Sequence, residues 1–255
     1  MASVRSFLSL ACACGVAAAC SSFTAVPVAE ENGRDASTLD AAPEDGGWKL
    51  AFAEGFEDDI DAGWRAVVDP ISDMMTIDAG QVGAIFLGDE GRDSARALHS
   101  ARASYTSASV KSLRWERSLD PSVSQAQLSF SVLAPEDALA LSPEGRTQLG
   151  VLALPGLFLY PGLTQGGLDF SFETDHVYRH VPSKAPFALG VWHTVTLEVD
   201  RDGGRLRATI DGKDALAESA VPGNTGSSEI GIGLRTEKDA RAVTVRYDDV
   251  VVRYR

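Results

Sequence analysis

From Trp48 onward, apolar residues recur at every second position, the period of a strand with one buried and one wet face. Ala126, Leu128, Phe130 and Val132 alternate with Gln127, Ser129 and Ser131. Leu168, Phe170 and Phe172 alternate with Asp169 and Ser171, and Val195, Leu197 and Val199 with Thr194, Thr196 and Glu198. Leu206, Ala208 and Ile210 alternate with Arg205, Arg207 and Thr209. Trp48, Leu50 and Phe52 open the pattern, and Ile230, Ile232 and Leu234, then Val243, Val245 and Tyr247, close it. Asp202-Gly203-Gly204 and Asp211-Gly212 fall between such runs, where tight hairpins need residues tolerant of positive φ. A short helical turn fits Pro135 to Leu141, and no sustained helical period follows the first twenty residues. About 200 residues with roughly a dozen strands and no long linker predict one all-β domain over 48–255, a two-sheet antiparallel β-sandwich.

The first 47 residues have a different texture. Arg5 is the only charge before Glu30, and Ser6 to Ala19 is an apolar run rich in Leu, Ala and Val. A short positive start, an apolar stretch and small exit residues predict a signal peptide over 1–19. All three cysteines, Cys12, Cys14 and Cys20, lie here and none in the domain. The exit, Ala17-Ala18-Ala19-Cys20-Ser21, resembles a bacterial lipobox, with Ala17 where Leu is more frequent. That resemblance implies diacylglycerol on Cys20, and hence an exported protein anchored to the lipid of a bacterial envelope, its leaflet left open. A plain cleavage before Cys20 is the rival, and it would leave an exposed free thiol. Residues 20–47 carry six acidic residues among Ala, Ser, Pro and Gly, which predicts a disordered tether.

A net charge of −13, with the basic residues scattered, excludes nucleic acid as a partner. The chain also lacks a nucleophile-elbow motif, a phosphate-binding loop, a Cys-x-x-Cys pair and a zinc-helix motif.

Three stretches carry a family resemblance. They are Gly190-Val191-Trp192-His193-Thr194-Val195, Leu206 to Gly212 with its terminal Asp-Gly, and Tyr247-Asp248-Asp249-Val250-Val251-Val252. Phe56-Glu57-Asp58, followed by Gly63-Trp64, supplies an opening. Together these resemble the concanavalin A-like lectin/glucanase superfamily, including laminin-G-like domains, over about Trp48 to Arg255. The resemblance implies a jelly roll with any sugar site on a concave face or its rim loops. The motif residues also read as structure: Trp192 as core packing, His193 as a surface strand residue beside it.

Candidate chemistry follows from the resemblance and from residue types. Some members hold one structural Ca²⁺ between the first and last strands, which implies Glu57 and Asp248 as metal ligands; hard cations want six to eight oxygens. The alternative is a solvated acidic loop of Glu57, Asp58, Asp59 and Asp61. Glu173-Thr174-Asp175 resembles part of a glycoside-hydrolase strand motif, but Val177 replaces its last acid. Asp175 to His180 gathers His176, Tyr178, Arg179 and His180. Some polysaccharide lyases of this fold use such groups, and an extended segment would put His176, Tyr178 and His180 on one face. His176 and His180 could also share a metal, with no third ligand evident. Trp115 and Tyr178 are the aromatics in polar surroundings on which a sugar ring can stack. The expectation is a binding module for a glycan or a surface partner, with Trp115, Tyr178, Arg179 and His180 as ligand contacts. A polysaccharide-degrading enzyme using Glu173, Asp175, His176 and Tyr178 is the alternative, and a purely structural envelope protein the third.

Overall fold

The computed structural model describes residues 47–57, 63–71, 83–102, 110–139, 145–223, 226–236 and 241–255. The expected signal peptide and tether, with Cys20, and the acidic positions Asp58, Asp59 and Asp61 lie outside them. Among the described residues are fifteen strands and a 3-10 turn at Glu136–Ala138. The strands are β1 (Lys49–Glu54), β2 (Arg65–Ile71), β3 (Gly83–Asp89), β4 (Arg96–Arg102), β5 (Val110–Ser118), β6 (Gln125–Leu133), β7 (Thr147–Leu154) and β8 (Leu157–Thr164). They continue with β9 (Gly167–Thr174), β10 (Val177–Pro182), β11 (Trp192–Asp200), β12 (Arg205–Ile210), β13 (Lys213–Ser219), β14 (Glu229–Thr236) and β15 (Val243–Tyr254).

The strands form two antiparallel sheets. One runs β13-β12-β11-β6-β15-β4-β3 with β1 beside β15, and the other runs β10-β9-β8-β7-β14-β5-β2. The alternating stripes meet between them. Leu128, Phe130, Val132, Leu197 and Tyr247 from the first sheet and Leu149, Leu159, Phe170, Ile232 and Leu234 from the second are all buried in one core. Phe130 and Tyr247 pack ring to ring at 6.1 Å. Each such side chain is worth about 1.5–3 kcal/mol of transfer free energy, so the β-sandwich follows from the period-two pattern.

The turns obey their residues. Asp211 and Gly212 both take positive φ, 50° and 74°, in the β12–β13 hairpin. Asp200 closes the β11–β12 turn by accepting the Gly203 amide at 2.7 Å and holding Arg205 at 2.7 Å.

Three details depart from the sequence pattern. Leu50 is 53% exposed, because the β1–β15 register slips between Leu50 and Phe52. A one-residue bulge there reverses the facing of everything before it. Trp192 is half-buried rather than in the core, while His193 is buried. His193 lies in phase with Val195, Leu197 and Val199, so β11 turns it inward; it stacks on Phe187 at 4.5 Å and bonds Asp211 at 2.7 Å.

Candidate functional site

Strand β9 carries Leu168, Phe170 and Phe172 toward the core, yet Asp169 and Ser171 on its other face are buried as well. The outer face of the seven-stranded sheet is therefore a partly enclosed polar surface. Register arranges it in rows. Arg235 on β14 pairs with Ser112 on β5 and with Gln148 on β7. Gln148 pairs with Gly162 on β8, and Gly162 with Asp169 on β9. One line thus crosses five neighbouring strands, a span of about 19 Å at ~4.8 Å per strand. Their chain neighbours Leu113, Leu234, Leu149, Leu163 and Phe170 all point into the core, so this line points away from it.

A second row lies beside it. Tyr160, Ser171 and His180 pair across β8, β9 and β10, and Arg114 occupies β5 opposite Gly233. Ser171 Oγ and His180 Nδ1 are 2.9 Å apart. Aromatic rings link up along the face: Tyr160 to Phe158 at 5.0 Å, Phe158 to Tyr178 at 5.7 Å, and Tyr178 to His180 at 4.9 Å. The Arg235 guanidinium stands 6.0 Å from the Tyr160 ring. Burial raises the Tyr160 pKa, against the opposing pull of Arg235 and Arg114. The phenol therefore stays protonated near neutral pH, able to donate and accept.

Several polar groups here are not satisfied. Gln148 is 1% exposed, and neither its amide nitrogen nor its amide oxygen has a hydrogen-bond partner among the described residues. Ser112 Oγ, Arg114 Nε and Arg235 Nε share that condition. An unmet buried donor or acceptor costs about 1–3 kcal/mol. Four such residues lie on one face of one sheet, where water or a ligand can meet them. Other charges on the face are matched: Glu116 receives Arg65 at 3.2 Å and also Arg114, and Asp169 receives Arg146 at 2.9 Å.

The residues singled out from sequence divide sharply. Tyr178 and His180 lie on this face, and Glu173 pairs with Tyr178 at its edge. Arg179 falls on the opposite side of β10 by alternation. Asp175 and His176 are not on a strand. They form the β9–β10 turn with positive φ, 52° and 59°, and His176 leans toward Glu173 at 3.8 Å. The strand thus ends at Thr174, so Asp175 does not extend a single acid stripe and His176 does not line up with His180. Trp115 packs against the core, on the side of β5 opposite Arg114 and Glu116. Arg114, Gln148, Tyr160 and Arg235 were not singled out. Arg114 and Glu116 alternate with Leu113 and Trp115, a legible signal, whereas Gln148 follows Arg146 and Thr147 at the head of an apolar stretch and shows no alternation.

A second locus joins the ends of the domain. Asp248 is fully buried. Its Oδ2 accepts the Arg92 amide at 2.9 Å and the Ser94 hydroxyl at 2.7 Å, and its Oδ1 accepts the Asp249 amide at 2.8 Å. Glu57 Oε1 accepts the Arg96 amide at 3.3 Å. Both candidate metal ligands therefore land on the same 91–96 loop. Burial raises the Asp248 pKa, partly offset by the Ser94 and Arg92 hydrogen bonds. Asp248 thus accepts three hydrogen bonds from neutral donors, while Glu57 reaches the same segment through the Arg96 amide. No group of three His, Cys, Asp or Glu gathers among the described residues.

No family model matches the chain, and no curated protein sequence matches it. Solved structures do. The cellulose-induced protein Cip1 superposes with a TM-score of 0.53 at 12% identity, over 79% of this chain and 96% of that one. The likeness is one of fold. A carbohydrate esterase from the Shiga toxin-encoding bacteriophage phi24B gives 0.52 at 14% identity, over 82% of this chain and 99% of that one. The binding domain of Paraclostridial Mosquitocidal Protein 1 gives 0.52 at 14%, over 81% of this chain; the present chain spans about half of that one, 49%.

Proposed function

We propose that this protein is an exported bacterial envelope lipoprotein whose β-sandwich binds a glycan without cleaving it. The observation that carries the reading is the outer face of the seven-stranded sheet. Buried hydrogen-bonding groups without partners lie there beside a run of aromatic rings. Sugars present hydroxyls and flat apolar ring faces, and sites for them combine a few placed polar groups with aromatic platforms. The fold agrees, since similar structures include a carbohydrate esterase and a binding domain.

The test is a panel of neutral and uronate polysaccharides, with the full chain scored both for retention and for new reducing ends. Retention without cleavage is expected, and Tyr178→Ala should weaken it about fivefold, the worth of one aromatic contact. New reducing ends would instead support the enzymatic alternative. That reading was drawn from Glu173, Asp175, His176 and Tyr178, of which Glu173 and Tyr178 pair in register while Asp175 and His176 form the turn beside them.

The anchor is Cys20, and its partner is membrane lipid. Cells fed labelled palmitate should incorporate it into the protein, and Cys20→Ala should release the chain in soluble form. Unlabelled, membrane-free wild-type protein would overturn the anchor.

One structural calcium ion completes the proposal, held by Asp248 and Glu57. Saturating Ca²⁺ added to stripped protein should raise Tm by about 5–10 °C, and Asp248→Asn should abolish that rise. A chelator that leaves the melting of calcium-loaded protein unmoved would remove the ion from the account.

A further inference from the structure

Within an acidic protein, the proposed glycan site holds one cation that is not matched by a carboxylate of the described residues. The chain carries 36 acidic against 23 basic residues. The outer face of the seven-stranded sheet nevertheless gathers Arg65, Arg114, Arg146 and Arg235 around two buried carboxylates, Glu116 and Asp169. Asp69 on β2 pairs with Ser112 at one end of the Arg235 row, and two further acids, Glu173 and Glu229, stand toward the other end of the strands. Glu229 is six residues from Arg235 along β14, about 20 Å at ~3.3 Å per residue.

The cations are not equivalent. Arg65 and Arg114 share Glu116, and Arg146 holds Asp169. Arg235 has no carboxylate partner among the described residues, and its Nε–H is buried without an acceptor. The registered neighbours of Arg235 are Ser112 and Gln148, and these too have unmet donors, a hydroxyl and an amide. Gly162 continues the row with no side chain, and Asp169 Oδ1 stands 3.4 Å from where its Cβ would lie. A half-buried guanidinium, an amide N–H and a hydroxyl aligned across three adjacent strands ask for acceptor oxygens bearing negative charge. A planar carboxylate fits a guanidinium edge in two parallel hydrogen bonds.

Resting on the glycan-binding reading, we propose that the ligand is an acidic glycan, and that its carboxylate is taken by Arg235 with the Gln148 amide and Ser112 hydroxyl beside it. The aromatic run from Tyr160 through Phe158 to Tyr178 then receives the neighbouring ring faces. Because the rest of the protein repels anions, the attraction is local and falls steeply with salt.

The test uses the full chain and three polymers: polygalacturonate, fully methyl-esterified polygalacturonate, and poly-L-glutamate. The first carries rings and carboxylates, the second rings alone, and the third carboxylates alone. Polygalacturonate should be retained at low salt, and each of the other two about tenfold less or worse. Arg235→Gln should reduce retention by about tenfold, and Gln148→Glu should do so more strongly by placing a like charge in the row. Circular dichroism confirms that the variants are folded. Arg207→Gln, on the other sheet and paired with Asp214, should change nothing. Equal retention of the methyl ester would overturn the acidic assignment and leave glycan binding standing. Equal retention of poly-L-glutamate would reduce the effect to general polyanion attraction and overturn it as well. Retention of no polymer would overturn both this inference and the reading beneath it.

Discussion

Phe130→Ala is expected to destabilise the domain by about 3–5 kcal/mol, the usual cost of emptying a buried aromatic site. Phe130 is fully buried at the centre of β6. It packs on Tyr247 from β15 and reaches across to the second sheet, where its ring stands 3.3 Å from the place a Cβ on Gly150 would take. One ring therefore touches both layers. Its removal leaves a void that neither sheet can close, because each is fixed by its own ladder of hydrogen bonds. Thermal melting should fall by roughly 10 °C, and Phe130→Leu should recover most of the loss. A loss below about 1 kcal/mol would mean that the two sheets do not meet at this ring.

Gly233→Ala is the second large effect, expected at about 3 kcal/mol or more from backbone strain and overpacking together. Gly233 has φ of 120°, a conformation costly for any residue with a side chain. An added Cβ would lie 2.3 Å from the Leu113 carbonyl oxygen and 2.8 Å from Arg114 Cα. Both obstacles are backbone of the adjacent strand, so no rotamer change relieves them. Gly233 also sits where the pairing of β14 with β7 shifts, between Ile232 and Arg235. The substitution should displace Arg235 from Gln148 and lower polygalacturonate retention in the fraction that stays folded. Urea unfolding reads the first effect and polymer binding the second. Wild-type values in both would show that β5 and β14 do not approach this closely.

The strand pattern was legible because burial on one face imposes a period of two. Leu128, Phe130, Val195, Leu197, Leu206 and Ile210 all lie where the alternation puts them. The Asp211-Gly212 turn was equally plain, since few residues tolerate positive φ in succession. Alternation failed where one residue was inserted or the phase was misjudged. Leu50 lost its place to a bulge, and His193 in fact shares the buried phase of Val195. The Asp175-His176 turn was hidden because neither residue is glycine. The extended segment that would have put His176 beside His180 is a hairpin instead.

The site itself could not be read along the chain. Ser112, Gln148, Gly162, Asp169 and Arg235 are scattered over more than half of the domain, and no spacing relates them. Sequence by itself determined an all-β chain, its inward-facing stripes and most of its tight turns, since these depend on each residue and its near neighbours. Tertiary structure alone decided which strands adjoin and in what register. That choice aligned Arg235 with Gln148 and brought Asp248 and Glu57 to one loop. The physical reason is that pairing depends on contacts between strands distant along the chain, and a shift of one residue would have sent every one of these side chains to the other face.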